Sequence, residues 1–257
     1  MTPSADVYLK RADTLPTGAF KVRDGVTVIS RLGEEFHDPD LIAASTGNHG
    51  QSVAYAGRVF DDARERAEAL AAERGYQYVH SANKPALVAG VGTARLEVVE
   101  ELPGVDYLFS PVGGGGGCDG LLSHRRRTYR RRRDQRPVGG RTGDTPGLVR
   151  GPPRPHDRME TFAGGVATRV PFAVKMGALW ESLDEFRLVS ETAIEIGVRE
   201  MLTEAGTPAE GASATSLAAM REMEAKIRVK TDMLPSTGRN VSPGKLRTLL
   251  AGESLGE

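Results

Sequence analysis

The pattern of hydrophobic and polar residues along the chain predicts both strands and helices. A loose alternation over residues 6–10 predicts a half-buried strand, and an apolar run over residues 107–112 predicts a second strand that leads directly into five glycines. Residues 61–75 predict a helix, because alanine and leucine recur on one face and Gly75 follows as a stop signal. A shorter helix is predicted over residues 52–57, behind a turn of small polar residues.

Two more helices are predicted in the C-terminal part of the chain. Ser190 is a suitable N-cap for a helix that carries Ile194, Val198 and Leu202 inward. A second apolar stripe at helical spacing predicts core residues rather than a cofactor site; it comprises Leu217, Met220, Met223 and Ile227. Because strands alternate with helices, the fold class predicted is α/β.

Composition narrows the class of protein. Hydrophobic residues make up 39% of the 257 residues and aromatic residues 5%, and no apolar run approaches the roughly 20 residues that a membrane helix needs. The N-terminus shows no signal-peptide pattern, and Cys118 as the single cysteine excludes an intrachain disulfide and a multi-cysteine zinc site. We therefore expect a soluble, cytoplasmic protein that neither inserts in a membrane nor holds a metal.

The net charge of +0 conceals an uneven distribution. Between His124 and Arg158 there are twelve arginines and three aspartates, and the rest of the chain has 22 Lys+Arg against 31 Asp+Glu. Residues 123–155 therefore form an irregular Arg-rich segment with very few apolar residues. It is interpreted as a solvated loop, as a basic tether for nucleic acid, or as an out-of-frame stretch; with Tyr129 alone available to stack a base, the nucleic-acid interpretation is disfavoured.

Three segments contain residues that can carry chemistry, although each has an ordinary structural explanation by itself. Lys21, after Phe20 in a glycine-containing turn, is either a surface lysine or a buried amine able to form a Schiff base. Residues 45–51 are either a capped loop or a turn that presents backbone N–H groups to an anion, in which His49 serves through its backbone rather than as a base. The run Gly113–Gly117 is either a linker or a phosphate-binding loop, and it lacks the Lys-Ser/Thr ending of a nucleotide-triphosphate site.

Together and in this order, these segments resemble the fold-type II pyridoxal-phosphate enzymes, in particular the threonine/serine dehydratases and serine racemases. Residues 16–23 are similar to the family pattern P-T-G-S-F-K-x-R, residues 45–49 to S-x-G-N-H, and residues 112–116 to V-G-G-G-G. Near the end, residues 234–240 resemble L-S-G-G-N. Two shorter turns, at residues 161–167 and 210–212, resemble T-x-A-D-G-x-A and E-G-A.

The resemblance implies a role for each matched residue. Lys21 would carry the cofactor, pyridoxal 5'-phosphate, and would act as the base for the Cα proton. Asn48 would bond the 3'-oxygen of the cofactor, and the Thr237 hydroxyl would face the pyridine nitrogen. The phosphate would lie against Gly113, Gly114, Gly115, Gly116 and Gly117. The substrate carboxylate would be bound by Ser45, Thr46, Gly47, Asn48 and His49, and in a racemase Thr46 would supply a second catalytic hydroxyl.

The chain also departs from the family pattern. Ala12 replaces a glutamate, and Asp24 stands where a glycine is common. A strand-helix-strand unit is missing after Phe60, and recognisable sequence stops near Leu122 and resumes at His156, which suggests a pair of compensating frameshifts across the Arg-rich segment. An apolar helix-strand pattern in another reading frame of the gene would support that hypothesis.

The fold expected from the resemblance has two open-sheet domains with helices on both faces. Residues 1–31 and 91–257 would form the larger, cofactor-binding domain, and residues 32–90 a smaller, truncated one. The expected function is deamination of L-threonine or L-serine to a 2-oxo acid and ammonia. The alternatives are an amino-acid racemase and a degenerate relative without catalysis, and we expect weak or absent turnover in this chain. A homodimer or homotetramer is left open, and no C-terminal regulatory domain is expected.

Overall fold

A computed structural model describes residues 6–35, 41–43, 45, 47–56, 73–75, 77–79, 85–113, 160–167 and 185–255. The predicted helix over residues 61–75 lies almost wholly outside these ranges, as do the Arg-rich segment, Thr46 and Gly114 to Gly117. Within the described part of the chain, no helix is long and apolar enough to cross a membrane.

The described residues of the N-terminal half form four strands and three helices. In chain order these are β1 (Asp6–Arg11), α1 (Val22–Glu35), β2 (Leu41–Ile42), α2 (Asn48–Ala56), β3 (Gln77–Tyr78), α3 (Pro85–Glu101) and β4 (Tyr107–Leu108). The strand predicted at residues 6–10 is confirmed, whereas the one predicted over residues 107–112 keeps only its first two residues as strand. The N–H of Phe109 still donates to the carbonyl of Met233 at 3.0 Å, and Pro111 has no N–H with which to continue the ladder.

The described residues of the C-terminal half form four helices and the central strand. They are α4 (Glu191–Thr203), α5 (Gly211–Glu222), α6 (Glu224–Ile227), β5 (Thr231–Ser236) and α7 (Pro243–Leu250). The predicted N-cap is confirmed, because the Ser190 side chain accepts a hydrogen bond from the N–H of Ala193 at 3.1 Å. α7 begins in the same manner at Ser242, with Pro243 in its first turn.

The larger sheet is parallel and has the strand order β1-β5-β4. β5 is its central strand and pairs with β1 along its full length, from Asp6 opposite Thr231 to Arg11 opposite Ser236. A second, two-stranded parallel sheet joins β2 to β3. Helices pack around both sheets, which confirms the predicted α/β class.

The apolar core consists of three clusters of buried side chains. One lies between α1, α2, α3 and the small sheet, one between α4, α5 and α7, and one beneath β5. The third cluster contains Met220, Met223 and Ile227, so the predicted stripe is core. α1 belongs to the first cluster through Val28 and Leu32, and it runs through the domain boundary proposed between residues 31 and 32.

Candidate active site

The carboxyl ends of β1, β5 and β4 each lead into one of the segments that the sequence singled out. β1 is followed by the turn that carries Lys21, β5 by Thr237, and β4 by the loop that reaches Gly113. Ligand sites in open parallel sheets lie outside the carboxyl ends of the strands. The topology therefore gathers these three segments at the edge where such a site is expected.

The lysine turn and the segment after β5 are joined through their backbones. The N–H of Phe20 donates to the carbonyl of Thr237 at 2.8 Å, and the N–H of Arg239 donates to the carbonyl of Gly18 at 2.9 Å. Ala19 and Gly238 form an antiparallel bridge between these two bonds. As a result, Lys21 follows directly after a residue that is bonded to Thr237.

Lys21 is partly buried, with 19% of its side chain exposed. Its Nζ lies 3.3 Å from Oδ2 of Asp24 and 5.1 Å from the centre of the Phe20 ring. The Asp24 carboxylate is 1% exposed and belongs to the first turn of α1. The amine is thus held in an ion pair and is not a free surface lysine.

Thr237 is 4% exposed, and its N–H donates to the side-chain oxygen of Ser213 at 3.0 Å. Ser213 lies in the first turn of α5. Both backbone groups of Thr237 are therefore engaged, the N–H with α5 and the carbonyl with Phe20. The position of Thr237 is fixed through its backbone. Its side-chain hydroxyl is not needed for these two bonds and can contact a ligand.

Asn48 is the first residue of α2, so the helix begins four residues earlier than predicted. The reason is that Gly47 accepts from the N–H of Gln51 at 3.2 Å, which starts the helix without an apolar pattern. The Asn48 amide nitrogen donates to both carboxylate oxygens of Glu210, at 2.9 Å each. The predicted anion-binding turn is therefore the N-terminal turn of a helix, where backbone N–H groups favour an anion.

Other residues of this turn divide into exposed and buried ones. Ser45 accepts from the N–H of Gly47 at 3.1 Å, and Gly47 is exposed. The His49 ring is buried, and its Nε2 lies 3.2 Å from the carbonyl of Val79. His49 thus ties α2 to the end of β3, which agrees with the expectation that its side chain is not the base.

Asn240 connects the C-terminal segment to two of the other segments. Its amide nitrogen lies 2.9 Å from the carbonyl of Thr17, 2.7 Å from Oδ1 of Asn48 and 3.2 Å from Oε1 of Gln51. Because Asn48 is also bonded to Glu210, a chain of side-chain bonds crosses the site from the lysine turn to the start of α5.

Close backbone approaches explain two of the glycines at this edge. A Cβ atom on Gly113 would lie 2.8 Å from the carbonyl oxygen of Gly165, and one on Gly238 would lie 2.6 Å from Oε1 of Glu210. Neither position could hold a side chain without displacing its neighbour. The turn at residues 161–167 therefore packs directly against Gly113, and the turn at Glu210 packs directly against Gly238.

Glu210 is the site residue to which sequence reasoning assigned no role. Burial raises the pKa of its carboxyl group, and the hydrogen bond from Asn48 works in the opposite direction. The E-G-A resemblance marked its position, but its partner Asn48 lies in a distant part of the chain. Only the fold brings these two side chains together.

The donor groups fit the cofactor that the resemblance implies. An amine at Lys21 and a hydroxyl at Thr237 follow strands of the larger sheet, the side-chain amide of Asn48 is linked to both segments through Asn240, and Gly113 follows β4 with a closely packed backbone. These are groups that can bind a carbonyl carbon, a phenolic oxygen and a ring nitrogen, respectively. The described residues therefore suit a pyridine aldehyde phosphate.

Comparison with known structures identifies the same architecture elsewhere. The threonine deaminase of T.th. is 28% identical, with a TM-score of 0.77 over 92% of this chain and 86% of its own. The processed threonine deaminase isoform 2 of Solanum lycopersicum has a TM-score of 0.83 at 23% identity, over 96% of this chain and 83% of its own. Maize serine racemase has a TM-score of 0.79 at 21% identity, over 96% of this chain and 88% of its own. The chain thus has the fold of the fold-type II enzymes.

The chain belongs to the family described as pyridoxal-phosphate dependent enzymes, which it matches over residues 2–61 and 57–234. The predicted cofactor, pyridoxal 5'-phosphate, is therefore confirmed as that of the family. The two matched stretches overlap over residues 57–61, around Phe60.

Sequence relatives carry the names of threonine-deaminating enzymes. The L-threonine ammonia-lyase of Thermotoga maritima is 29% identical over 84% of this chain and 62% of its own length, and that of Geobacter sulfurreducens is 29% identical over 83% and 62%. The chain therefore spans less than two thirds of the length of these relatives.

Proposed function

We propose that the protein is a pyridoxal-phosphate-dependent ammonia-lyase that deaminates L-threonine or L-serine to a 2-oxo acid and ammonia. One observation carries the proposal: the lysine turn, the Asn48 turn and the Thr237 segment are bonded to one another at the carboxyl edge of the sheet. The names of the sequence relatives support the reaction type.

The proposed roles follow the chemistry of each group. Lys21 holds the cofactor and, when substrate has displaced it, its amine takes the Cα proton. Asn48 holds the cofactor oxygen next to the reacting carbon. The Thr237 hydroxyl faces the ring nitrogen, and as a neutral group it leaves the ring less electron-withdrawing than a carboxylate would.

Substrate orientation is proposed to come from the start of α2. Backbone N–H groups at Ser45, Gly47, Asn48 and His49 bind the substrate carboxylate, which the helix N-terminus favours. Gly113, with Gly114 to Gly117, is proposed to receive the phosphate. When bound, pyridoxal phosphate supplies the electron sink for the carbanion, and loss of the β-hydroxyl group relieves the negative charge.

The test combines cofactor binding with product analysis. The full chain is mixed with pyridoxal phosphate, and the absorbance of the lysine-bound cofactor is recorded; 2-oxo acid and ammonia are then measured after addition of L-threonine or L-serine. Lys21→Ala is expected to abolish both signals, whereas Lys226→Ala, at a lysine with 58% of its side chain exposed, should retain them. A folded wild-type protein that does not bind the cofactor would refute the proposal.

The same reaction mixtures distinguish the racemase alternative. Formation of D-serine from L-serine, suppressed more than elimination by Thr46→Ala, would favour racemisation.

A reducing, cytoplasmic location is also proposed, on the basis of the single cysteine. The amino-acid substrate is proposed to be bound by the isolated chain or by a homodimer or homotetramer.

A further inference from the structure

The ion pair between Lys21 and Asp24 lies at the residue proposed to carry the cofactor. Asp24 Oδ2 is 3.3 Å from Lys21 Nζ, and Asp24 is 1% exposed, so the carboxylate is shielded from solvent that would otherwise screen it. It also stands where the family pattern commonly has a glycine. This chain therefore places a buried negative charge beside its lysine.

The second oxygen of Asp24 is held by Ser52 of α2. The Ser52 hydroxyl has one hydrogen, which can be donated either to the carbonyl of Lys21 or to Asp24 Oδ1 at 3.1 Å, and its oxygen accepts from the N–H of Gly25 at 3.1 Å. Ser52 is fully buried. The carboxylate is thus fixed on one side by α2, and its remaining oxygen is directed at the amine.

A structural explanation of Asp24 is that an acidic residue in the first turn stabilises the dipole of α1. That explanation accounts for the charge but not for its geometry. Both oxygens are engaged, one with Ser52 Oγ and the other with Lys21 Nζ. The ion-pair partner of the Asp24 carboxylate is therefore the Lys21 amine.

We propose that Asp24 is the counter-ion of Lys21, a positioning residue that holds the ammonium group of this lysine in an ion pair whenever it is not joined to the cofactor. The role in turnover rests on the proposed function. An amine held in an ion pair must leave its partner and lose a proton before it can react as a nucleophile. The ammonium form cannot attack a carbonyl, so Asp24 slows attachment of the cofactor to Lys21.

The same ion pair assists the lysine during the proposed elimination. When the released amine accepts the Cα proton, it becomes an ammonium group, and its new positive charge is neutralised by Asp24. The electron pair of the broken C–H bond becomes the second bond between Cα and Cβ, and the electron pair of the Cβ–O bond leaves with the β-hydroxyl group. Asp24 itself exchanges no proton in this step.

The direct test measures the reactivity of the Lys21 amine in the cofactor-free full chain. Trace acetylation with acetic anhydride at about pH 8 is followed by mass spectrometry of the peptides, with Lys226 as the internal reference. Asp24→Asn and Asp24→Ser remove the charge, whereas Ser52→Ala loosens the carboxylate but keeps its charge. We expect Lys21 to react about three- to tenfold faster in both Asp24 variants.

The Ser52→Ala variant separates electrostatic from structural effects. It should lower the melting temperature and leave the labelling rate of Lys21 within about twofold of wild type. Equal acceleration in Ser52→Ala and the Asp24 variants would show that loosening of the turn is responsible, and an unchanged rate in the Asp24 variants would likewise overturn the proposal.

A second readout concerns cofactor attachment. In Asp24→Asn, the absorbance of lysine-bound pyridoxal phosphate should develop several-fold faster than in wild type. If the wild-type chain binds no cofactor at all, the proposed function fails, and the labelling rates still decide whether Asp24 is the counter-ion.

Discussion

The N–H of Phe20 donates to the carbonyl of Thr237 at 2.8 Å, so the residue before the lysine is bonded to the residue proposed to face the cofactor ring. A backbone bond of this kind does not depend on either side chain. Substitution of Thr237 can therefore test the role of the hydroxyl while the two segments stay joined.

For Thr237, the hydroxyl and the methyl group can be separated by two substitutions. Thr237→Val keeps the shape and removes the hydroxyl, and we expect turnover to fall about 3- to 10-fold, the effect of losing a hydrogen bond between neutral groups. Thr237→Ser keeps the hydroxyl and should retain most of the activity. Steady-state kinetics with L-threonine measure the difference, and equal losses in the two variants would contradict the role of the hydroxyl.

Asp232 is a buried carboxylate whose ionisation should destabilise the fold. It is 0% exposed in β5, neither of its oxygens has a hydrogen-bond partner among the described residues, and burial, together with the nearby Asp106 charge, raises its pKa to about 6. Since the folded-state pKa lies above the unfolded value, the folded protein binds the proton more tightly. Stability is therefore highest at low pH and falls as pH rises through about 4 to 6, by on the order of 3 kcal/mol.

Asp232→Asn removes this titration. In urea denaturation, the variant should be more stable than wild type at about pH 8 by about 1–3 kcal/mol, and the two should converge near pH 4. A variant that loses stability with rising pH as steeply as wild type would show that another group titrates in this range.

Asp13 should have the opposite dependence on pH. Although burial opposes ionisation, hydrogen bonds from Arg11 and Thr207 lower the pKa of Asp13, and Thr207 Oγ1 lies 2.8 Å from its carboxylate. The stabilisation is present above the unfolded pKa and is lost as pH falls through the lowered one. We expect Asp13→Asn to cost about 2 kcal/mol near pH 7, with the difference shrinking below about pH 4. Thr207→Val, which keeps the charge and removes the hydroxyl, should cost less in the same denaturation series.

The gaps in the sequence predict weak turnover for this chain. Catalytic groups must be held to about half an ångström, and the strand-helix-strand unit that the resemblance implies after Phe60 would contribute to that support. A version with this unit and the stretch 123–155 restored from an intact relative should deaminate threonine faster. Equal turnover per bound cofactor in the two proteins would show that the missing segments are dispensable.

Some of this architecture could be predicted from local patterns. The alternation at residues 6–10, the cap at Ser190 and the apolar stripe ending at Ile227 each depend on neighbouring residues, so periodicity is enough. The start of α2 at Asn48 was missed, because its first turn is made of small polar residues without an apolar face.

Long-range pairs could not be predicted in this way. The bond between Asn48 and Glu210, and the contact of Ser52 with Asp24, join segments that only the completed fold brings together. The ordered motifs indicated which segments meet: three of them follow strands of the larger parallel sheet, and the Asn48 turn follows β2 of the smaller one. They did not indicate which side chains bond across the meeting point.

The Asn240 amide has more acceptors within reach than hydrogens to donate. Its nitrogen carries two hydrogens and lies within reach of three oxygens, on Thr17, Asn48 and Gln51. One of these acceptors is therefore always surplus, and Gln51, at 3.2 Å, is the most distant. Since Asn240 is exposed, water can replace the Gln51 contact while Thr17 and Asn48 still accept both hydrogens, so the link between the lysine turn and the start of α2 does not depend on Gln51.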